Sequence, residues 1–125
     1  MCFCSKRLGE VPRGKAWALV TGSAKGIGRQ YAERLALLGY NIVMVDIRPE
    51  VADEAATIAK THGVKCVTKV MDLATQDAAR TLHATTTAEG YVFDVVINNA
   101  GMFSHCDILT TPVERIERLI LLHDL

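Results

Sequence analysis

Four short apolar runs alternate along this chain with longer segments whose apolar residues recur every three or four positions. The runs occupy residues 16–20, 41–46, 64–70 and 91–97. A short apolar run between turn signals predicts a buried strand, whereas the longer spacing predicts a helix with one apolar face. Regular alternation of strand and helix is typical of an α/β protein whose parallel strands are joined by helical crossovers.

The first predicted helix begins inside a glycine-rich segment that follows residue 20. Its apolar stripe consists of Ile27, Tyr31, Leu35 and Leu38. The second helix has Pro49 in its first turn and ends near Gly63, and a weaker third helix covers roughly residues 76–89. A capping box at residues 111–114 opens a last helix that runs to the end of the chain.

These elements predict a Rossmann-like, doubly wound parallel sheet. Its four strands, numbered along the chain, should have the spatial order 3-2-1-4. Because ligands of such sheets bind beyond the carboxyl ends of the strands, we expect the cleft beyond strands 1 and 4. We expect residues 1–14 to be an N-terminal tail and residues 15–125 to be a partial domain of this Rossmann-like type. The outer edge of the fourth strand is then expected to carry unpaired backbone groups.

The segment between the first strand and the first helix carries most of the functional signal. It contains Thr21, Gly22, Ser23, Lys25, Gly26, Ile27 and Gly28. Glycines let the main chain approach a ligand closely, and the free N–H groups and dipole of a helix N-terminus favour an anion. The spacing is GxxxGxG instead of the usual GxGxxG, but the position between strand and helix is the same. The segment therefore predicts a phosphate-binding cradle, and the alternative is a simple connecting turn.

Composition favours a small-molecule partner. Fourteen Lys and Arg residues balance fourteen Asp and Glu residues, so no net charge attracts nucleic acid or anionic lipid. The N-terminus has no long apolar stretch, and we therefore expect no membrane contact and a cytoplasmic location. The four cysteines include no CxxC pair, which predicts reduced thiols and no metal site.

Asp46 ends the second predicted strand, close to the offset of about 20 residues at which Rossmann units place an acidic residue on the adenosine ribose. A carboxylate there accepts hydrogen bonds from the 2′-hydroxyl and repels a 2′-phosphate. Asp46 therefore favours NAD over NADP. Lys25 and Arg48 leave NADP open, because either side chain could pair with a 2′-phosphate, although the preferred interpretation of both is a solvated surface charge.

Four features occur together here: the glycine cradle, Asp46, the Asp72-Leu73 pair and the run Asn98-Asn99-Ala100-Gly101. In this order and spacing they resemble the N-terminal half of the short-chain dehydrogenase/reductase family of NAD(P)-dependent oxidoreductases. The similarity extends from about residue 15 to the end of the chain.

The resemblance implies a role for each of these residues. Asp72 is expected to receive the adenine amino group, while the backbone of Leu73 contacts the ring. Without the resemblance, Asp72 would be interpreted as a helix N-cap or a turn residue. Residues 98–101 are expected to hold the fourth strand beside the cofactor, so Asn99, Ala100 and Gly101 are predicted cofactor-binding residues.

The catalytic residues of the resembled family are a serine and the tyrosine and lysine of a YxxxK motif, and this chain has no YxxxK. Its tyrosines, at positions 31, 40 and 91, are followed four residues later by Leu, Met and Val. We therefore expect the catalytic half to be missing and the 125 residues alone to be inactive. The resemblance also places His123 at or near the position of the family's relay asparagine, where it could hold a water or be an ordinary terminal histidine.

The leading hypothesis is thus the cofactor-binding portion of an enzyme that moves hydride between nicotinamide and an alcohol or carbonyl substrate. The alternative is a non-catalytic dinucleotide-binding or regulatory module. A P-loop NTPase is disfavoured because Gly26 is followed by Ile27 and not by Lys. His105, Cys106 and Asp107 are interpreted as loop residues near the substrate mouth. The apolar residues 119–122, which in relatives pack against another subunit, imply a homo-oligomer for the complete protein.

Overall fold

A computed structural model describes residues 2–4, 11–101 and 112–123. The strands are β1 (Cys2–Cys4), β2 (Trp17–Thr21), β3 (Asn41–Asp46), β4 (Cys66–Val70) and β5 (Phe93–Asn98). The helices are α1 (Gly26–Leu37), α2 (Val51–His62), α3 (Ala78–Ala88) and α4 (Val113–His123). The strands and helices predicted after residue 15 are all present, with ends shifted by a few residues.

The sheet has the strand order β1-β5-β2-β3-β4, and β5, β2, β3 and β4 are mutually parallel neighbours. This confirms the predicted order 3-2-1-4 for the four strands identified from the sequence. The register places Leu19 of β2 beside Val43 of β3 and Val96 of β5. The carboxyl ends of β2, β3 and β5 therefore meet at one edge, as the prediction required.

The N-terminal segment differs from the expectation. Cys2–Cys4 forms β1 and pairs antiparallel with β5, Phe3 lying opposite Ile97. The expected tail and the expected bare edge of β5 are therefore wrong over these residues. The physical reason is that the open edge of β5 offers unpaired N–H and C=O groups, which a short segment can satisfy as an added strand.

Alternating strand residues fill two apolar layers, one on each face of the sheet. The layer against α1 and α2 contains Ala18, Val20, Ile42, Met44, Val95 and Ile97. The layer on the α3 side contains Leu19, Val43 and Val45, together with Leu73 and Leu82. Because both faces of the central strands are covered, these strands are continuously apolar, which explains the runs seen in the sequence.

The apolar stripe of α1 begins later than predicted. Ile27 is 62% exposed, while Ala32, Leu35 and Ala36 are buried against the sheet. The N-terminal turn of α1 approaches the sheet through Gly28, which leaves no space for a side chain between them and directs Ile27 away from the core. Helical periodicity alone could not show this, because it does not reveal how closely the backbone approaches the sheet.

Residues 11–15 belong to the folded unit. The guanidinium of Arg13 donates to the carbonyl oxygens of Ala36 and Leu37 at 3.0 Å and of His62 at 2.6 Å, so it caps the C-terminal ends of both α1 and α2. The buried Asn41 side chain donates to the Gly14 carbonyl oxygen at 2.9 Å. The segment that precedes β2 is thus fixed by hydrogen bonds to helix ends and to β3.

In the described part of the chain, none of the helices is both long and apolar enough to cross a membrane.

Candidate cofactor site

A cleft of about 380 Å³ opens at the edge where β2, β3 and β5 end. Nine of the residues predicted to bind the cofactor line it: Gly22, Lys25, Gly26, Asp46, Asp72, Leu73, Asn99, Ala100 and Gly101. Residues from four separate places in the sequence therefore lie in one cavity. The cleft is also lined by Ile47, Arg48, Met71, Ala74 and Arg118.

The floor of the cleft depends on Thr21, which is 4% exposed. Its Oγ1 accepts hydrogen bonds from the backbone N–H groups of Asn99 and Ala100, each at 3.0 Å. The same hydroxyl lies 3.4 Å from Oδ1 of Asn98, to which it can donate. Thr21 thus joins the carboxyl end of β2 to the segment that follows β5, and this junction sets the distance between the two walls of the cleft.

Two glycines of the cradle are required by close packing. A Cβ on Gly28 would lie 2.0 Å from the carbonyl oxygen of Gly22, and a Cβ on Gly22 would lie 2.9 Å from Cα of Ala100. Real Cβ atoms are not found this close to backbone atoms. Gly22 and Gly28 therefore allow the loop, α1 and the end of β5 to pack together.

Gly26 has a different environment. Its φ is +62°, and no heavy atom of the described residues lies within 4 Å of a Cβ built there, apart from its own neighbours. Gly26 also lines the cleft and is the first residue of α1. Open space at a helix N-terminus, next to a backbone with no side chain, fits the pyrophosphate of a dinucleotide. The first turn of α1 carries no acidic residue that would repel a phosphate.

Ser23 lies beneath the loop and not on the cleft wall. It is fully buried, and its hydroxyl donates to the carbonyl oxygen of Val45 at 3.4 Å. The amide of Gly22 donates to the same carbonyl at 2.7 Å. Thr21, Ser23 and Gly28 thus shape the cradle from below, while Ile27 is exposed beside it. Direct contact of these four residues with a cofactor stays a prediction.

Asp46 is 6% exposed and lines the cleft at the end of β3. Its Oδ2 accepts the backbone N–H of Ala24 at 2.9 Å, and its Oδ1 accepts that of Arg48 at 3.0 Å. The carboxylate therefore fastens the glycine loop to the end of β3, a role that the sequence did not reveal. Each oxygen keeps a second lone pair for a ligand. The side chains of Lys25 and Arg48 are exposed at the same cleft.

Asp72 follows β4, the strand that pairs with β3, and its neighbour Met71 donates its backbone N–H to the carbonyl oxygen of Asp46 at 2.9 Å. Oδ1 of Asp72 accepts the backbone N–H of Ala74 at 2.9 Å, and its Oδ2 accepts a hydrogen bond from Nη1 of Arg118 in α4 at 2.8 Å. The Arg118 hydrogen bond holds the pKa of Asp72 below its ordinary value, and the Ala74 amide contributes in the same direction. Sequence reasoning missed Arg118, since one basic residue on an amphipathic helix carries no signal of where it points.

The remaining candidate residues come from the segment after β5 and from the end of α4. His105, Cys106 and Asp107 lie outside the described residues. His123 is the last residue of α4, and its relay role stays a prediction.

Comparison with known proteins agrees with this geometry. The family model described as short chain dehydrogenase matches residues 16–122, which is most of the chain. The chain belongs to the short chain dehydrogenase family. The resemblance inferred from the motifs is thereby confirmed, and proteins of this family bind a nicotinamide cofactor.

Relatives in the short chain dehydrogenase family have several substrates. The chain is 36% identical over 104 residues to a very-long-chain 3-oxoacyl-CoA reductase of Mycosarcoma maydis, covering 82% of this chain and 30% of that protein. It is 34% identical over 102 residues to an (S)-acetoin-forming diacetyl reductase of Staphylococcus epidermidis, covering 82% and 40%. Among solved structures, L-sorbose reductase from Gluconobacter frateurii with NADPH and L-sorbose superposes with a TM-score of 0.79 at 26% identity, covering 89% of this chain and 43% of that one. The chain thus spans less than half the length of each of these proteins.

Proposed function

We propose that this chain is the cofactor-binding portion of a nicotinamide-dependent oxidoreductase that interconverts an alcohol and a carbonyl substrate. The single observation that carries the proposal is Gly26, which combines open space, a left-handed backbone and the N-terminus of α1 in one cleft with Asp46 and Asp72. When bound, the nicotinamide supplies or takes up hydride. Membership of the family supports the reaction class.

Each wall of the cleft is proposed to bind a different part of the dinucleotide. The N-terminus of α1 and Gly26 would hold the pyrophosphate, because amides and dipole there favour negative charge. Asp46 would accept hydrogen bonds from the adenosine ribose, and Asp72 would accept a hydrogen bond from the adenine amino group. Ala100 and Gly101, held by Thr21, would line the nicotinamide side. The 125 residues contain no YxxxK, so we expect them to bind cofactor without turning over a substrate.

We propose NAD as the preferred cofactor and keep NADP as the alternative. The negative charge of Asp46 in the cleft supports NAD, because a 2′-phosphate beside it would be repelled. The exposed cations Lys25 and Arg48 support NADP, and so does the NADPH bound in the sorbose reductase. The sharpest variant is Asp46→Asn, since it removes the charge but leaves one acceptor oxygen for the Ala24 or Arg48 amide.

Like charges side by side cost several kcal/mol, so we expect Asp46→Asn to raise NADPH affinity relative to NADH by about tenfold or more. Asp94→Asn, at an exposed aspartate in β5, is the matched control and should leave the ratio unchanged. Fluorescence titration with each reduced dinucleotide measures the ratio. An unchanged ratio in Asp46→Asn would remove the assigned role of Asp46. A selective loss of NADPH affinity in Arg48→Gln would favour the NADP alternative.

The test of cofactor binding itself uses two glycines with the same backbone. Gly26 and Gly63 have φ values of +62° and +66°, and within the described ranges a Cβ on either meets nothing within 4 Å. Alanine should therefore strain both positions equally, but only Gly26 lines the cleft. We expect Gly26→Ala to weaken NADH binding about tenfold or more, a loss near 1.4 kcal/mol, and Gly63→Ala to leave it unchanged. Equal NADH affinities of Gly26→Ala and Gly63→Ala would contradict the proposal.

We also propose that the complete protein is a homo-oligomer and acts in the cytoplasm. Val113 and Ile120 of α4 are 59% and 61% exposed, and an apolar helix surface of this kind supports subunit contact. Cys66 has a free thiol, and burial raises its pKa to about 11, so this thiol stays protonated and poorly reactive near neutral pH. Light scattering and cell fractionation test the two proposals; a monomer or a secreted protein would contradict them.

A further inference from the structure

We propose that Arg118 is a positioning residue for adenine: its guanidinium fixes the Asp72 carboxylate so that this carboxylate accepts the adenine amino group. The inference rests on the proposed function, in which the cleft binds a nicotinamide dinucleotide. Arg118 comes from α4, whereas the other residues that line the cleft lie at or just beyond the ends of strands.

The geometry that carries the proposal is the division of the Asp72 carboxylate between two donors. The Ala74 amide holds Oδ1 at 2.9 Å, and Nη1 of Arg118 holds Oδ2 at 2.8 Å. With one donor on each oxygen the carboxylate cannot rotate freely. Each oxygen retains a second lone pair, and Asp72 and Arg118 both line the cleft. A fixed acceptor with spare capacity can distinguish a base that presents an amino donor from one that presents an oxygen.

The Arg118–Asp72 ion pair does not act mainly by stabilising the fold. The side chains of Arg118 and Asp72 are 41% and 29% exposed, and an ion pair this accessible to water contributes little to stability. Its effect is orientation, because removing Arg118 leaves the Ala74 amide as the one described donor to the carboxylate. The contact also keeps Asp72 ionised and therefore acceptor-only, which is the state that an amino donor requires.

The experiment compares two ligands that differ along one edge of the base. NADH carries the adenine amino donor, and reduced nicotinamide hypoxanthine dinucleotide carries a carbonyl oxygen in its place, with an N–H where adenine has a ring-nitrogen acceptor. The 125-residue chain should prefer NADH by about tenfold, the factor expected for a hydrogen bond to a charged acceptor. Arg118→Gln should reduce this preference to about threefold or less. Arg118→Lys should restore part of it, because the positive charge is kept while the planar donor geometry is lost.

Arg115→Gln is the matched control. Arg115 is an exposed arginine on the same helix that does not line the cleft, so its variant loses the same charge from α4. It should keep the wild-type preference. If Arg118 only stabilised the fold, Arg118→Gln would weaken the binding of both ligands equally and leave the ratio of their affinities unchanged. That result would overturn the inference. Tighter NADH binding by Arg118→Gln would also overturn it, since Arg118 would then compete with adenine.

The inference and the proposed function fail in different ways. If the wild-type chain binds neither ligand, the cleft is not a dinucleotide site and both fail. If it binds both ligands equally well, the proposed function stands, but Asp72 does not recognise the amino group and the inference is wrong.

Discussion

The hydroxyl of Thr21 accepts the backbone N–H of Ala100 at 3.0 Å, and this bond joins two segments that are 79 residues apart in the sequence. The same oxygen accepts the N–H of Asn99, also at 3.0 Å. One buried side chain therefore satisfies two backbone amides just beyond the end of β5. Both walls of the cofactor cleft depend on it.

Thr21→Val should destabilise the protein much more than Thr21→Ser. Valine has the same shape but accepts no hydrogen bond, so two amides lose their partner at a cost of about 1–3 kcal/mol for each group left unsatisfied. Serine keeps the oxygen. Urea unfolding measures both variants. Equal midpoints for the valine and serine variants would contradict the role given to the hydroxyl.

Gly28→Ala should prevent α1 from packing beside the end of β5. The new Cβ would lie 2.0 Å from the Gly22 carbonyl oxygen and 2.6 Å from Nδ2 of Asn99, so the helix must move outward. Overpacking of this kind costs about 1–3 kcal/mol or more. Gln30→Ala, at an exposed position on the same helix, is the control and should be neutral. A Gly28→Ala variant that melts with the wild type would show that the approach is less close than the structure has it.

Asp72 should titrate below the ordinary aspartate range, and Arg118→Gln should move its pKa upward, because the largest cause of the shift is the Arg118 hydrogen bond. A carboxyl group whose pKa is lowered by folding stabilises the folded state above its unfolded pKa. That contribution is lost as the pH falls through the lower, folded pKa. Wild type should therefore lose this stabilisation progressively as the pH falls below the ordinary aspartate pKa. Carboxyl-carbon NMR titration of both proteins measures it, and identical curves would contradict the assignment.

The sequence predicts most of this fold because its signals are local. The buried strand Asn41–Asp46 and the end of α2 at Gly63 both follow from residues in immediate succession, and the structure has them where expected. The position of β1 could not be predicted, since three residues have too little pattern to identify a strand. Its pairing depends on an open edge of β5 that is distant in the sequence.

The candidate site is likewise predictable where its signals are local in the sequence, but not where it depends on contacts between distant segments. Asp46 is predicted from its offset after the glycine segment and its place at a strand end, whereas the role of Asp72 is predicted through the family resemblance. The bonds from Asp46 to two backbone amides, and from Asp72 to Arg118, were not found. They depend on how side chains are oriented between elements, which hydrophobic periodicity does not reveal. Ile47 and Ala74 could have been added to the site, since each lies beside a predicted residue and lines the cleft.

The most direct test of the account is an NMR titration of the 125-residue chain with NADH. The largest changes in backbone amide shifts are predicted at Gly22, Gly26 and Ala100, where the main chain lines the cleft. A second groove on the α3 side of the sheet, lined by Leu82 and Phe93, should respond little. Absence of shifts at saturating NADH, or shifts confined to the groove at Leu82 and Phe93, would contradict the claim that this cleft holds the nicotinamide cofactor.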